Sequence, residues 1–415
     1  MSTWLLPRNE LTPEQLRAVE LSHADHQIIF GAPGSGKTQI LLHRAAFLRD
    51  RLGTDPGRYR IFVYTNVLKQ YIRSTLSLLN LPEDTIITYD DWCKTFYLQH
   101  INKRTPWNAE AKKPDFAAIR SAVAEKLASN SLPLPLYDFV LVDEAQDLDA
   151  ASFDNLRRIS RHITACLDNK QQIYEHGSSE AEILLKLGLR RRNLSLLDAY
   201  RCSPFIAKLA ARFIPDPQDM QHYLAQVRTS QSERQPPLLF RAASFEEEKK
   251  RLIEVLRERL LIDQRIGILF PQRRQVFGFA QGLAEAGIEV EVPPQFGSKS
   301  ALPAHDFSSS RPKLITYAGA KGLTFDSVLL PRLVPDSFSN LSPERVQRLI
   351  YVAVTRATHW VYLSTNVGKE LPLLQSLQPL VAERALTVQS SPEQAAPAPV
   401  SPPGTAAGSD KLDFL

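Results

Sequence analysis

The sequence is poor in cysteine and contains no long apolar run. Its 415 residues include three cysteines, Cys93, Cys166 and Cys202, whose isolated positions do not match the paired spacing of a zinc site or a disulfide framework. No apolar run approaches the length of a membrane span, and the first residues lack the basic start and apolar core of a signal peptide. We therefore expect free thiols, no membrane partner and a cytoplasmic location.

The composition is that of a globular protein with more than one domain. Hydrophobic residues make up 43% of the chain and charged residues 23%, and a length of 415 residues suits two or three domains. The formal net charge of +5 is compatible with a polyanionic partner, although a merely solvated basic surface gives the same value. Composition alone therefore leaves the function open.

The strongest chemical signal is a phosphate-binding loop. Residues 31–38, GAPGSGKT, follow an apolar run and precede a segment with helical apolar spacing. Glycines let successive backbone N–H groups converge on a phosphate, and the following helix directs its positive end to the same place. The alternative is a glycine-rich turn that precedes a helix by chance. The residues predicted to bind nucleotide in this loop are Gly31, Ala32, Gly34, Ser35, Gly36, Lys37 and Thr38.

Two carboxylates follow a second apolar strand. The run at residues 139–142 ends at Asp143 and Glu144, and ligands bind at the carboxyl ends of parallel strands. With a phosphate-binding loop upstream, the pair predicts coordination of Mg²⁺ by Asp143 together with Thr38, and activation of water by Glu144. The alternative is an acidic helix N-terminus without a catalytic role.

Strand-like and helix-like segments alternate along the rest of the chain. This alternation predicts an α/β protein with two parallel sheets, one before and one after about residue 195. Residues 97–136 are polar and interrupted by prolines, so we expect a small insertion there rather than core. The predicted domains are therefore 1–195 and 196–388.

The C-terminal stretch differs in composition from the rest. Residues 389–415 are rich in Ser, Pro, Ala and Gly, which predicts a disordered tail. The tail ends in KLDFL at residues 411–415. Apolar residues at its tip indicate a docking peptide for a protein partner, and the alternative is a frayed terminus without function.

Eight short motifs follow one another along the chain. They are LTPEQ at 11–15, GAPGSGKT at 31–38, YTN at 64–66, DEAQD at 143–147, DNKQQIY at 168–174, AYRC at 199–202, AKGLTFD at 320–326 and YVAVTRA at 351–357. Their order resembles that of the UvrD/Rep family of superfamily 1 helicases over roughly residues 10–370. The resemblance implies two RecA-like P-loop NTPase domains with ATP and Mg²⁺ in the cleft between them.

The resemblance also implies roles for individual residues. A planar, permanently charged arginine suits the charge that develops on phosphate oxygens. Gln15 matches the family's adenine-reading motif, and its spacing from Thr12 is also that of a helix capping box. The implied catalytic residues are Lys37, Asp143, Glu144, Gln171, Arg201 and Arg356. Further nucleotide contacts are implied for Gln15, Gln39, Tyr200, Lys321 and Gly322.

The residues expected to contact nucleic acid match the family pattern less closely. The predicted contacts are Tyr64, Thr65, Asn66, Trp92, His176 and Tyr317, and a place in the core is the alternative for the aromatic Tyr64, Trp92 and Tyr317. Several recognition positions depart from the family pattern. On the nucleotide side, Gln39 replaces an arginine beside adenine and Thr324 replaces a glutamate near the ribose. On the nucleic-acid side, Asp90 and Ala318 replace histidines, and His176 stands where the family motif normally continues to a tryptophan. The inserted subdomains that handle duplex DNA in the family are also much reduced here.

The leading hypothesis is an ATP-dependent motor that translocates on single-stranded DNA, or on DNA with a single-stranded tail, in the 3′→5′ direction. Unwinding of duplex in repair, replication or defence would extend that activity. The alternative is a regulatory ATPase subunit that signals its nucleotide and DNA state to a partner such as a nuclease. The KLDFL peptide is loosely similar to peptides that dock on sliding clamps.

Overall fold

The computed structural model describes residues 4–32, 34–110, 112–129, 131–168, 177–196, 202–226, 235–263, 265–294, 302–339 and 341–391. Two six-stranded sheets dominate these residues, and a two-stranded hairpin lies apart from them. The part of the chain that is described contains no helix long and apolar enough to cross a membrane.

The first sheet is parallel throughout, with strand order β3-β2-β6-β7-β1-β8. Its strands are β1 (Gln27–Gly31), β2 (Tyr59–Val63), β3 (Ile86–Thr88), β6 (Tyr137–Val142), β7 (Ser160–Leu167) and β8 (Leu194–Leu196). The hairpin consists of β4 (Trp107–Asn108) and β5 (Lys113–Pro114). The helices of this half are α1 (Pro13–Val19), α2 (Lys37–Leu52), α3 (Asn66–Arg73), α4 (Tyr89–His100), α5 (Phe116–Ala128), α6 (Ala150–Ile159) and α7 (Glu180–Leu187).

The second sheet is also parallel, with strand order β11-β10-β12-β13-β9-β14. Its strands are β9 (Leu238–Ala242), β10 (Ile266–Phe270), β11 (Lys313–Thr316), β12 (Phe325–Leu330), β13 (Ala357–Asn366) and β14 (Thr387–Ser390). The helices of this half are α8 (Pro204–Ala211), α9 (Pro217–Gln226), α10 (Phe245–Leu260), α11 (Arg273–Glu285), α12 (Pro343–Val354) and α13 (Gln378–Ala382).

The predicted α/β architecture with two parallel sheets is confirmed. The change from one sheet to the other lies between Leu196 and Leu238. The domain limits of 1–195 and 196–388 remain a prediction. Strand β14 extends to Ser390, two residues into the predicted tail 389–415, and residues 392–415 with their KLDFL end lie outside the described residues.

One expectation about the first half is corrected. Within residues 97–136, helix α5 is not peripheral, because Ile119, Val123 and Leu127 are fully buried and belong to the apolar cluster that covers one face of the first sheet. Their spacing of four residues puts all three on one face of the helix. Only the short hairpin at 107–114 matches the picture of an inserted element, since Trp107 is 62% exposed.

A buried arginine ties the start of the chain to the first sheet. Arg44 of α2 is fully buried, and its Nε donates to Thr164 Oγ1 at 2.8 Å. Its two terminal nitrogens donate to the carbonyl oxygens of Val19, Leu21 and Ser22 at 2.9, 2.8 and 3.2 Å. One of them also contacts His162 Nε2 at 3.2 Å. Burial, followed by the Arg44 charge, lowers the pKa of His162 to about 3, so that this ring is neutral and accepts a hydrogen bond.

We expect Arg44→Met to destabilise the protein strongly, because methionine fills the space but leaves the carbonyl groups of residues 19–22 without donors. The loss should be about 3 kcal/mol. Urea unfolding followed by circular dichroism measures it. Arg51→Met, at an exposed position near the end of the same helix, is the matched control and should change the unfolding midpoint little. Equal midpoints for the two variants would contradict a structural role for Arg44.

Candidate functional site

The phosphate-binding loop joins β1 to α2 as the sequence predicted. Gly36 is the N-terminal cap of α2 and has a φ of +86°, a left-handed conformation that favours glycine. A Cβ atom at this position would lie 2.7 Å from Nε2 of Gln15, so that the Gln15 side chain would have to move to admit it. The loop therefore depends on glycine at its last turn before the helix.

Lys37 lies inside the loop that precedes it. Its Nζ donates to the carbonyl oxygens of Gly31 at 2.7 Å and Ala32 at 3.2 Å, and lies 3.8 Å from Oδ2 of Asp168. The lysine is 7% exposed. A positive charge is thus held at the carboxyl end of β1 beside the N-terminus of α2, which is a favourable position for a bound anion.

The side-chain amide of Gln15 makes two hydrogen bonds within the protein. Its Oε1 accepts from the backbone N–H of Thr12 at 3.0 Å, which together with the Thr12 hydroxyl completes the predicted capping box of α1. Its Nε2 donates to the carbonyl oxygen of Ser35 at 3.0 Å. The side chain amide therefore joins the first helix to the phosphate-binding loop.

The predicted Mg²⁺ ligands are brought together. Thr38 Oγ1 donates to Oδ2 of Asp143 at 2.6 Å, although the two residues are far apart in the chain. Burial and the neighbouring Glu144 carboxylate raise the pKa of Asp143 to about 6. A hydroxyl and a carboxylate are hard oxygen ligands of the kind that Mg²⁺ prefers, and a divalent cation would compensate the charge that burial disfavours. The pair therefore fits the metal.

Glu144 has an unusual backbone and a tightly held carboxylate. Its φ of +49° is left-handed for a residue that is not glycine. Its Oε2 accepts from Nε2 of Gln146 at 2.6 Å and lies 3.4 Å from Nζ of Lys321. Burial alone would raise the pKa of Glu144, but the charges of Lys321, Lys37 and Arg356 outweigh it and hold the pKa below its usual value. The group is therefore anionic at neutral pH.

Lys321 connects the two halves of the chain in the interior. It lies between β11 and β12, is 1% exposed, and donates from Nζ to Oδ2 of Asp147 at 2.6 Å. Burial raises the pKa of Asp147 to about 7, against the opposing effect of the Lys321 charge. The same ammonium group thus contacts two carboxylates of the first half, those of Asp147 and Glu144. Sequence reasoning had not assigned a role to Asp147.

Arg356 and Gly322 approach the same place from the second half. Arg356 is 5% exposed, and its Nε donates to the carbonyl oxygen of Val352 at 3.0 Å. Gly322 has a φ of +81°, and a Cβ atom there would lie 2.8 Å from a methyl group of Leu68 in α3. The lack of a side chain at Gly322 therefore permits a close approach between the two halves.

One cleft is lined by eight of the residues predicted to bind nucleotide or to act in catalysis. Those that line it are Gly34, Gly36, Lys37, Thr38, Gln39, Glu144, Gly322 and Arg356. The cleft is also lined by residues that sequence reasoning missed, among them Trp4, Tyr71 and Tyr223. No motif marks these aromatic positions, so they could be found only in the folded chain. The predicted residues Gln171, His176, Tyr200 and Arg201 lie outside the described residues.

The predicted nucleic-acid contacts divide into two groups. Thr65 caps α3 by accepting from the Leu68 backbone N–H at 3.0 Å, with Tyr64 half-buried and Asn66 exposed beside it. Trp92 is 5% exposed and donates from Nε1 to the Tyr137 hydroxyl at 2.9 Å.

Tyr317 also is fully buried. For Trp92 and Tyr317 the structure therefore corresponds to the alternative, a place in the core, because neither ring offers a face to a base. The segment from Tyr64 to Asn66 remains accessible at the carboxyl end of β2.

Comparisons with known proteins give consistent matches in both halves. A family model described as AAA domain matches residues 15–176, and one described as UvrD-like helicase C-terminal domain matches residues 314–364. A protein of Mycoplasma capricolum subsp. capricolum, named "Probable DNA helicase II homolog", is 22% identical over 302 residues, which is 51% of this chain and 42% of that protein. The "ATP-dependent DNA helicase PcrA" of Leuconostoc citreum is 35% identical over 89 residues, which is 21% of this chain and 11% of that protein.

A solved structure of the C-terminal domain of a possible DNA helicase from Lactobacillus plantarum WCFS1 is 17% identical, with a TM-score of 0.33, and the match covers 46% of this chain and 98% of that chain. The matched parts span less than half of either curated relative. The two family models match the regions that hold the phosphate-binding loop and Lys321. The family models, the names of the two curated relatives and the order of the motifs support a resemblance to the UvrD/Rep-like superfamily 1 helicases.

Proposed function

We propose that this chain is an ATP-hydrolysing motor that translocates along single-stranded DNA in the 3′→5′ direction. The observation that carries the proposal is the buried contact of Lys321 with Asp147 and Glu144 beside the phosphate-binding loop. Residues of both halves of the chain thus surround one cleft, so that a ligand bound there would alter the contact between the halves. Such coupling is what converts nucleotide hydrolysis into movement along a strand.

The chemistry of the cleft suits transfer of a phosphoryl group to water. Lys37 and the backbone N–H groups of the loop would bind the phosphates, and Arg356 would stabilise charge on the transferred group. Glu144, held anionic, would orient the attacking water and accept its proton. Bound Mg²⁺ would be held by Thr38 and Asp143 and would neutralise phosphate charge. By the family pattern, Gln171, Tyr200 and Arg201 complete the site.

The binding site for the DNA strand is proposed at the carboxyl end of β2. Tyr64, Thr65 and Asn66 would contact the strand there, with His176 as a further contact by family position. The motor would act on tailed DNA in repair, replication or defence from a cytoplasmic location. A protein partner, either a sliding clamp bound to the KLDFL peptide or a nuclease, would direct it.

Lys37→Ala should abolish the ATPase activity, because no other described group supplies a cation at the phosphates from within the loop. We expect single-stranded DNA to stimulate ATP hydrolysis by the unchanged protein and the variant to lose at least about a hundredfold in rate. Steady-state hydrolysis with tailed substrates of both polarities measures stimulation and direction together. Lys249→Ala in α10, a position outside the cleft residues, is the matched control and should keep the full rate.

One result would contradict the motor itself, and another would contradict only its proposed direction. The first is ATP hydrolysis that depends on Lys37 but does not respond to single-stranded DNA of any length or salt concentration. This result would favour the regulatory ATPase subunit, whose activity should then respond to a purified partner instead. The other is stimulation by DNA with displacement only in the 5′→3′ direction, which would leave the ATPase assignment intact and overturn the proposed polarity.

The contact between Lys321 and Asp147 should affect turnover rather than nucleotide affinity. Asp147→Asn removes one of the two carboxylates that contact the buried ammonium group of Lys321. It should lower kcat by about tenfold or more, with a smaller change in KM for ATP. Lys321→Met should lower kcat at least as much, because it also removes the contact with Glu144. The double variant should cost little more than Lys321→Met alone, because the contact with Asp147 is already lost in that variant.

A second buried pair provides the control. Lys313 Nζ lies 2.8 Å from Oε2 of Glu291 in the second half, and both side chains are nearly as buried as those of Lys321 and Asp147. Lys313→Met combined with Glu291→Gln should lower thermal stability without the fall in kcat. If the two pairs of variants behave alike in kcat, the contact between Lys321 and Asp147 has only a structural role.

A further inference from the structure

Three aromatic rings meet at one end of the nucleotide cleft. Trp4 and Tyr71 are stacked with ring centroids 4.6 Å apart and planes inclined by 16°. Phe307, from the second half, meets Tyr71 edge-on at 5.1 Å. Stacked and edge-on pairs at these distances are the favourable arrangements of aromatic side chains. The indole ring thus joins the chain segment before α1 to α3, and Tyr71 of α3 in turn contacts the second half.

Of the two rings that line the cleft, Trp4 is the more exposed. Tyr71 is 4% exposed and is covered by its two neighbours, whereas Trp4 is only half-buried. Both rings line the cleft that contains Lys37 and Thr38. Trp4, Tyr71 and Thr324 also line an adjoining cavity, so that space continues past the indole ring. One face of Trp4 is stacked on Tyr71, and the ring borders open space beside the phosphate-binding loop.

Polar groups that could distinguish one nucleobase from another are few at this end of the cleft. Both ends of the Gln15 amide are engaged within the protein, by Thr12 and by Ser35. Thr324 presents only a short hydroxyl side chain to the cleft. Trp4 Nε1 is buried and has no hydrogen-bond partner among the described residues, which makes it a single donor for a ligand.

We infer that Trp4, supported by Tyr71, is the stacking surface for the nucleobase of the bound triphosphate. Stacking accepts any base, because every base has a π face, and it discriminates weakly without hydrogen bonds to the base edge. The substrate class is therefore nucleoside triphosphates, with ATP and GTP bound within about tenfold of each other. This inference rests on the proposed nucleotide site and adds the group that binds the base.

Nucleotide binding by calorimetry tests the inference without requiring hydrolysis. The probes are non-hydrolysable analogues of ATP and GTP together with inorganic tripolyphosphate, which has no base. Trp4→Ala should weaken binding of both analogues by about tenfold or more and leave tripolyphosphate unchanged. Trp4→Phe, which keeps an aromatic face, should recover most of the loss. Trp107→Ala, at a tryptophan that is 62% exposed on the distant hairpin, is the matched control and should bind as the unchanged protein does.

The outcomes separate this inference from the proposed function. If Trp4→Ala binds both analogues normally while Lys37→Ala weakens them, the nucleotide site stands and the stacking role of Trp4 is overturned. A loss of tripolyphosphate binding in Trp4→Ala would show a general disturbance of the loop and would also overturn it. A preference for ATP over GTP of a hundredfold or more that Gln15→Ala abolishes would assign the base to Gln15 instead. Failure of the unchanged protein to bind any probe would refute the nucleotide site itself.

Discussion

The contact on which the rest of the site depends is a buried ammonium group between carboxylates of the opposite half. Lys321 is 1% exposed and lies against Asp147 and Glu144. Removal of a charge from water is costly, and only close opposite charges offset that cost. The two sheets therefore have to remain together for this lysine to be buried, and any movement between them changes the surroundings of the proposed catalytic carboxylate.

The other charged groups of the cleft also depend on close opposite charges. Positive groups at Lys37, Lys321 and Arg356 face the carboxylates of Asp143 and Glu144, and together they keep Glu144 anionic although it is buried. Gln146 contributes a neutral link, since it donates to Glu144 and accepts from the backbone N–H of Asp168 at 3.1 Å. A polyanionic ligand with a metal ion would enter a site whose positive groups are already arranged around its position.

Local elements and their types were largely predictable. The strand expected before Asp143 is β6, because an apolar run that ends at two carboxylates has a clear boundary. Short edge strands such as β8 and β14 were not predicted, since strands of three or four residues carry little periodic signal. Helix α5 was taken as part of an insertion because its polar surroundings mask the three buried positions on one face.

The sequence by itself determined the glycine-rich loop with its lysine and the strand that ends in carboxylates, because these are local patterns with a local physical cause. It also determined the order of motifs in which the chain resembles the UvrD/Rep-like helicases. Only the tertiary structure decided that Trp92 and Tyr317 belong to the core and that Trp4 reaches the cleft. It alone joined Lys321 to Asp147. Burial and contacts between distant segments depend on how whole sheets pack, and no short stretch of residues encodes them.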